Sequence, residues 1–236
     1  AMHNLGKPLV DTGAVDKPGI YLYDGRFRLA SRATGARTEI DVDGIKAYSA
    51  SAKSIWLKTT GDALFGSNVA APATTALAVF ATAQTYNSES LGAGDVLFGD
   101  NSANKANMLW DASDGLLRFR GGTTTQVYIG TDGSLRAGGG RTEIDADGIK
   151  AYSASAQSVA IETDGDVKLG SNIGTAAGTA LAVFATAQTY NSEGMGAGDV
   201  LFGDNSANKA NMLWDASDGK LLFRGGTTPQ AYINTD

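Results

Sequence analysis

Short apolar runs, separated by polar clusters that contain glycine, recur along the whole chain. Val96-Leu97-Phe98, Met108-Leu109-Trp110, Leu116-Leu117-Arg118-Phe119 and Val127-Tyr128-Ile129 follow one another closely, and Ile144 to Ala146 and Ile149 to Tyr152 continue the series. Each run is too short for a helix and predicts a strand. Between them stand Asp-Gly pairs beginning at 24, 43, 114, 132, 147, 164 and 218, whose tolerance of positive φ makes them hairpin turns. The pattern predicts an all-β chain of meandering antiparallel sheet. In Glu39-Ile40-Asp41-Val42-Asp43 the alternation has period two. It places Ile40 and Val42 on one face and the carboxylates on the other, as in a half-buried strand.

One segment fits two templates. From Thr75 to Tyr86, Ala76, Val79, Phe80 and Ala83 share a helical face, whereas Leu77, Val79 and Ala81 alternate as in a strand. The threonine and aromatic content and the β surroundings favour the strand.

The elements are organised by an internal repeat. Thr38-Glu39-Ile40-Asp41 returns as Thr142-Glu143-Ile144-Asp145, a period of 104 residues (142 − 38) that holds without a gap to Asp236. Thr75 to Gly115 and Thr179 to Gly219 differ only at Ser90/Gly194 and Leu91/Met195, while Lys53 to Thr74 has drifted against Gln157 to Gly178. Tyr21 to Gly25 also echoes Tyr128 to Gly133. The expected organisation is therefore a partial repeat over residues 1–37, a first repeat over 38–141 and a second, truncated one over 142–236. Such arrays supply reach or surface more often than a single reaction centre. The period exceeds an ordinary solenoid coil, so each copy holds several hairpins of its own.

Two textures alternate within a copy. Thr131 to Asn172 is rich in Gly, Ser and Asp and has few large apolar side chains, which predicts a thin shaft. Leu77 to Ile129, with Phe80, Phe98, Trp110 and Phe119, predicts a compact bead. Neighbouring copies of the chain would best bury the thin part and protect its sheet edges, so a homo-oligomer is expected. The 31 glycines follow no collagen-like triplet and belong to turns.

Composition removes several function classes. The net charge of −6 comes from 25 acidic and 19 basic residues spread along the chain, with no polybasic run for nucleic acid. No apolar stretch approaches the roughly 18 residues of a spanning helix, and no signal peptide is visible. Ala1 ahead of Met2 reads as an added remnant, and the chain reads as a piece of a longer protein. There is no cysteine, hence no disulfide framework and no thiolate metal site. His3 is the only histidine and lies at the extreme N-terminus, which leaves histidine-based triads, general bases and metal sites without a member.

The remaining candidates are weighed by spacing. Asp41 and Asp43, and Asp145 and Asp147 in the second copy, are carboxylates two apart that suit a shared cation or a glycosidase pair. An EF-hand loop begun at Glu39 puts Gly44 correctly at its sixth position but Ala50 where a bidentate Glu belongs. The polar face of a strand entering an Asp-Gly turn is the better reading. Gly194 to Asp199 has the look of a nucleotide loop, yet a strand follows it, with no helix N-terminus for phosphate. Gly138-Gly139-Gly140 and the Gly-Gly-Thr-Thr runs at 121 and 225 likewise read as turns. Trp110 and Trp214 suit core packing better than sugar stacking. Trp56, whose partner in the second copy is Ala160, is peripheral packing or a local contact surface. No catalytic, cofactor or metal residue is assigned, and an enzyme is not expected.

Asp145-Ala146-Asp147-Gly148-Ile149-Lys150-Ala151-Tyr152, with Thr163 to Val167, resembles the β-structured repeats of bacteriophage and prophage tail fibres. The stretch from Gly198 to Asp204 and on through Leu221 to Gly226 resembles the same class. The resemblance implies an intertwined homotrimer with a thin β-helix or β-prism shaft, located in a virion tail or otherwise extracellular. It implies a role in spacing or presenting a host receptor-binding tip. It transfers no binding residue. A carbohydrate-binding or adhesin module, with a host-surface glycan or receptor as partner, is the alternative, and a polysaccharide depolymerase a lesser one.

Overall fold

A computed structural model describes residues 19–23, 25–30, 35–71, 74–103, 105–175 and 177–234. The described residues are all-β and contain no α-helix. His3 and the residues around it, and Asp24 of the first Asp-Gly pair, lie outside them. The chain divides into two compact units between Tyr128 and Ile129.

The first unit carries β1 (Gly19–Tyr23), β2 (Arg26–Ala30), β3 (Arg37–Asp41), β4 (Gly44–Ser49), β5 (Ala52–Lys58), β6 (Ala63–Gly66) and β7 (Thr75–Val79). A small hairpin of β8 (Gln84–Tyr86) and β9 (Glu89–Leu91) follows, then β10 (Val96–Phe98), β11 (Ala106–Asp111), β12 (Leu116–Gly121) and β13 (Thr124–Ile129). From β1 to β7 each strand pairs antiparallel with the next. β7 then pairs with β10, β10 with β11 and β11 with β12, so the β8–β9 hairpin leaves the main sheet.

The second unit follows the same plan. Its strands are β14 (Leu135–Ala137), β15 (Thr142–Asp145), β16 (Gly148–Ser153), β17 (Ala156–Glu162), β18 (Val167–Asn172) and β19 (Gly178–Val183), followed by the side hairpin β20 (Gln188–Tyr190) and β21 (Glu193–Met195). β22 (Val200–Phe202), β23 (Ala210–Asp215), β24 (Lys220–Gly225) and β25 (Thr228–Asn234) complete it. β19 pairs with β22 as β7 pairs with β10, and Val200 stands opposite Trp214 as Val96 stands opposite Trp110.

Each bead holds one small core beneath its side hairpin. In the first, Leu64, Ala78, Phe80, Leu91, Leu97 and Leu109 are buried together, and in the second Ala182, Phe184, Met195, Leu201 and Leu213. Buried carboxylates tie the loops to these cores. Asp62 accepts from the Ala81 amide at 2.9 Å and from Gln84 at 2.7 Å, and Asp95 accepts from the amides of Gly92 and Ala112. Such bonds satisfy donors that would otherwise be stranded in the core.

The ambiguous segment is a strand, as expected, but it breaks at Phe80. β7 ends at Val79, and Gln84–Tyr86 resumes as part of the side hairpin. Ala78 and Phe80 face the core while Leu77 and Val79 take the opposite face. Val42 and Ala146, read as strand positions, lie in two-residue turns, because Asp41 pairs with Gly44 and Asp145 with Gly148. Gly44 and Gly148 are obligatory there, with φ of 121° and 129°. A Cβ on either would come within 2.0 Å of the carbonyl oxygen of Leu57 or Ile161.

Candidate functional site

A distinctive surface is an apolar face of the sheet, assembled one residue per strand. In the first unit Leu22 stands opposite Phe27, Phe27 opposite Ile40, Ile40 opposite Ile45 and Ile45 opposite Leu57. The row continues through Ala63, Val79, Val96 and Trp110 to Leu117. Ten strands therefore contribute ten apolar residues in register. Two residues along each strand a second row runs parallel to it, from Ile20 and Leu29 to Phe98, Met108 and Phe119, with Thr38 as its one polar member.

The second unit repeats the arrangement. Leu135, Ile144, Ile149, Ile161, Val167 and Val183 succeed one another across the strands, followed by Val200, Trp214, Leu221 and Ile233. Phe27, Ile40, Ile45, Phe98, Trp110, Phe119, Ile144, Ile149, Ile161, Phe202 and Phe223 are all exposed. Cross-strand neighbours on one face pack side by side, so these residues form continuous apolar strips. Ala63, Val79, Val96 and Leu117 between them are half-buried, and the exposed members are suited to a binding surface.

The opposite face of the shaft-like stretch is charged and covered. Glu39 is 5% exposed and lies opposite Lys46, also 5% exposed. Arg37 Nε donates to Glu39 Oε1 at 2.7 Å, and Arg28 Nε lies 3.6 Å from the same oxygen. The period-two alternation read at Glu39 to Asp41 is present, but in the single chain the carboxylate side is the buried one. Long ion-paired side chains shield one another there, whereas nothing covers the isoleucines.

The paired aspartates are held by a lysine on the next strand. Lys46 Nζ donates to Asp41 Oδ1 at 2.8 Å and to Asp43 Oδ2 at 2.9 Å, and Lys150 makes the same two contacts with Asp145 and Asp147, each at 2.9 Å. Burial pushes the Asp41 carboxyl up, but the hydrogen bonds from Lys46 and from the Asp43 amide outweigh it and leave its pKa lowered. Asp145, bonded by Lys150, is lowered too, and Lys150 is raised in return. Each Asp pair thus closes its own hairpin around an ammonium group, a role that the following Ile-Lys at 45–46 and 149–150 signals in the sequence.

Trp56 is both packing and surface. It rests partly on the first core, its Nε1 donates to the Asp43 carbonyl at 3.2 Å, and Lys53 Nζ sits 3.4 Å from the ring centroid. Trp110 and Trp214 lie in the apolar strips and outside the bead cores. Gly138, Gly139 and Gly140 form a positive-φ turn. Gly194 and Met195 belong to β21, and the turn proper is at Ala197-Gly198.

A cluster that the sequence reading passed over brings Glu162, Asp164 and Asp166 together. Its oxygens are engaged within the fold. Lys168 donates to both Glu162 oxygens, Asp164 accepts from the Asp166 amide, and Asp166 accepts from the Ala185 amide and Gln188.

No family model matches the chain, and no curated protein matches it. Among solved structures it is similar to a streptogramin B lyase structure, at 14% identity over 94% of this chain and 93% of that one, with a TM-score of 0.19. A likeness at that score bears on neither fold nor chemistry.

Proposed function

We propose that this chain is a structural shaft segment of a homo-oligomeric fibre, in which copies of the chain bury the apolar strips against one another. Three copies is the arrangement implied by the resemblance to phage tail fibres, with the segment spacing or presenting a host receptor-binding tip outside the cell. The observation that carries the reading is the register itself. An apolar residue on every main-sheet strand from Leu22 to Leu117, all on one sheet face, has no use in a single chain in water. It is what a close-packed interchain core requires, and obligate homo-oligomer interfaces are the most apolar class of protein contact. The charged face needs no partner from another chain, because Lys46, Glu39 and their neighbours already satisfy one another within the chain.

In this reading Trp110 and Trp214 are interface residues, where the glycan-binding alternative would use them as stacking platforms. The chain has no cysteine, so a single introduced thiol is a clean probe. Ile45→Cys, treated with a short bis-maleimide, is expected to give covalently joined chains, whereas Val42→Cys in the exposed turn is expected to give few. Single chains only from Ile45→Cys would remove the proposal.

A further inference from the structure

The first bead contains a polar cavity of about 200 Å³, lined by Glu89, Ser90, Asp111, Arg118, Arg120 and Thr125 among others. Arg118 and Arg120 belong to the strand parity opposite Phe119, so they face away from the apolar strip. The cavity therefore stays open when that strip is covered.

The charges around it cancel in pairs. Arg120 is bonded to Glu89, and Arg118 lies 3.0 Å from Asp111. An anion meets no uncompensated positive charge there, and a cation no free carboxylate. Acceptors and donors nevertheless line the same small space, and the buried Nε of Arg118 has no hydrogen-bond partner among the described residues. The complement of such a lining is a neutral polyol, because each hydroxyl donates one bond and accepts others. The volume lies below the roughly 300–1,000 Å³ of drug-sized pockets and suits a single pyranose ring.

The internal repeat points independently to the same place. Between residues 75–129 and 179–233 the copies differ at 90, 91, 116, 118, 125 and 127. Four of these six positions, 90, 91, 118 and 125, line the cavity. In the second bead they are Gly194, Met195, Leu222 and Pro229, which remove the Ser90 and Thr125 hydroxyls and the Arg118 guanidinium, while Thr123 is kept as Thr227. Leu222 instead packs on the apolar core there. A bead otherwise copied nearly unchanged has diverged where a ligand would sit.

We propose that the first bead, and not the second, binds one neutral hexopyranose unit, such as the terminal residue of a surface glycan, between the Glu89–Arg120 and Asp111–Arg118 pairs. The test is calorimetric titration of the full chain with the methyl glycosides of mannose, galactose and glucose, with N-acetylneuraminic acid as the acidic comparison. At least one neutral glycoside is expected to saturate one site per chain with a Kd near ~1 mM, a weak affinity in keeping with so small a contact. Arg118→Leu, which installs the residue the second bead already accommodates, is expected to weaken it at least tenfold with the circular dichroism unchanged. Gly194→Ser, Met195→Leu, Leu222→Arg and Pro229→Thr together are expected to raise the stoichiometry to two. No saturable binding of any neutral glycoside, tighter binding of the acidic sugar, or an Arg118→Leu variant with unaltered affinity would each overturn the proposal.

Discussion

Ile40 and Ile45 stand opposite each other across the β3–β4 hairpin, 43% and 42% exposed, while their sequence neighbours Glu39 and Lys46 are buried on the other face. That inversion of the usual order is local to the thin stretches. In the beads both faces carry apolar residues, and the side hairpin covers one of them. In the proposed assembly, further copies of the chain supply the cover that these isoleucines lack in a single chain.

Placing a charge in the strip separates an interface effect from a folding effect. Ile45→Asp removes an apolar side chain from the strip and puts a carboxylate where the proposed assembly would exclude water. The expected outcome is dissociation to single chains, read by sedimentation. Val42→Asp, at an 84% exposed turn position one strand end away, is expected to leave the mass unchanged.

The turn glycines are needed for space as well as for φ. Gly44→Ala and Gly148→Ala each drive a Cβ into a backbone carbonyl of the neighbouring strand. Each is expected to cost at least about 1–3 kcal/mol, the range for enforced backbone strain, and a denaturant midpoint measured beside that of Gly139→Ala checks it. Gly139 has positive φ but open space around it, so its substitution is expected to cost less.

The beads rest on buried ion pairs that are costly to halve. Arg224 and Glu193 are bonded in the second bead, and Arg224 Nε also donates to Asn211 at 2.9 Å. Glu193→Gln leaves a buried guanidinium without its counter-charge and is expected to destabilise the chain by about 3–5 kcal/mol. Thermal unfolding of the variant beside the parent measures it.

Acid acts through the aspartates. Asp41, Asp62, Asp111, Asp132, Asp145 and Asp204 all have pKa values lowered from the ordinary 3.8. A carboxyl whose folded pKa lies below its unfolded one contributes fully above the unfolded value and loses that contribution as pH falls through the folded value. Stability is therefore expected to be level from pH 7 to about 5 and to fall below about 4. Melting temperature across that range reads the effect, and Asp41→Asn with Asp145→Asn is expected to flatten the acid limb.

How much of this was legible in the sequence depends on the length over which each signal acts. The strands at Val96–Phe98, Met108–Trp110 and Ile149–Tyr152 and the turns at the Asp-Gly pairs beginning at 114, 132, 164 and 218 are local, and they stand where the pattern puts them. At 43 and 147 the turn lies one residue earlier and the glycine opens the next strand. The step at Phe80 was not legible, because a strand and its departure into a side hairpin share the same alternating residues. The apolar strip was hidden for another reason. Ile40, Ile45 and Leu57 look like ordinary half-buried strand positions one at a time, and only the register joins them into one surface. The lysine between Asp41 and Asp43 was available as a cross-strand neighbour once the turn length was known. The cavity at Arg118 depended on the three-dimensional meeting of β9, β11 and β12, though the Ser90/Gly194 and Leu91/Met195 differences already marked its rim.

Light scattering coupled to small-angle X-ray scattering on the unmodified chain tests whether copies of it bury the strips against each other. A mass of three chains and an elongated scattering profile that persist on dilution are expected. A compact single chain of 24.2 kDa would contradict the proposed assembly.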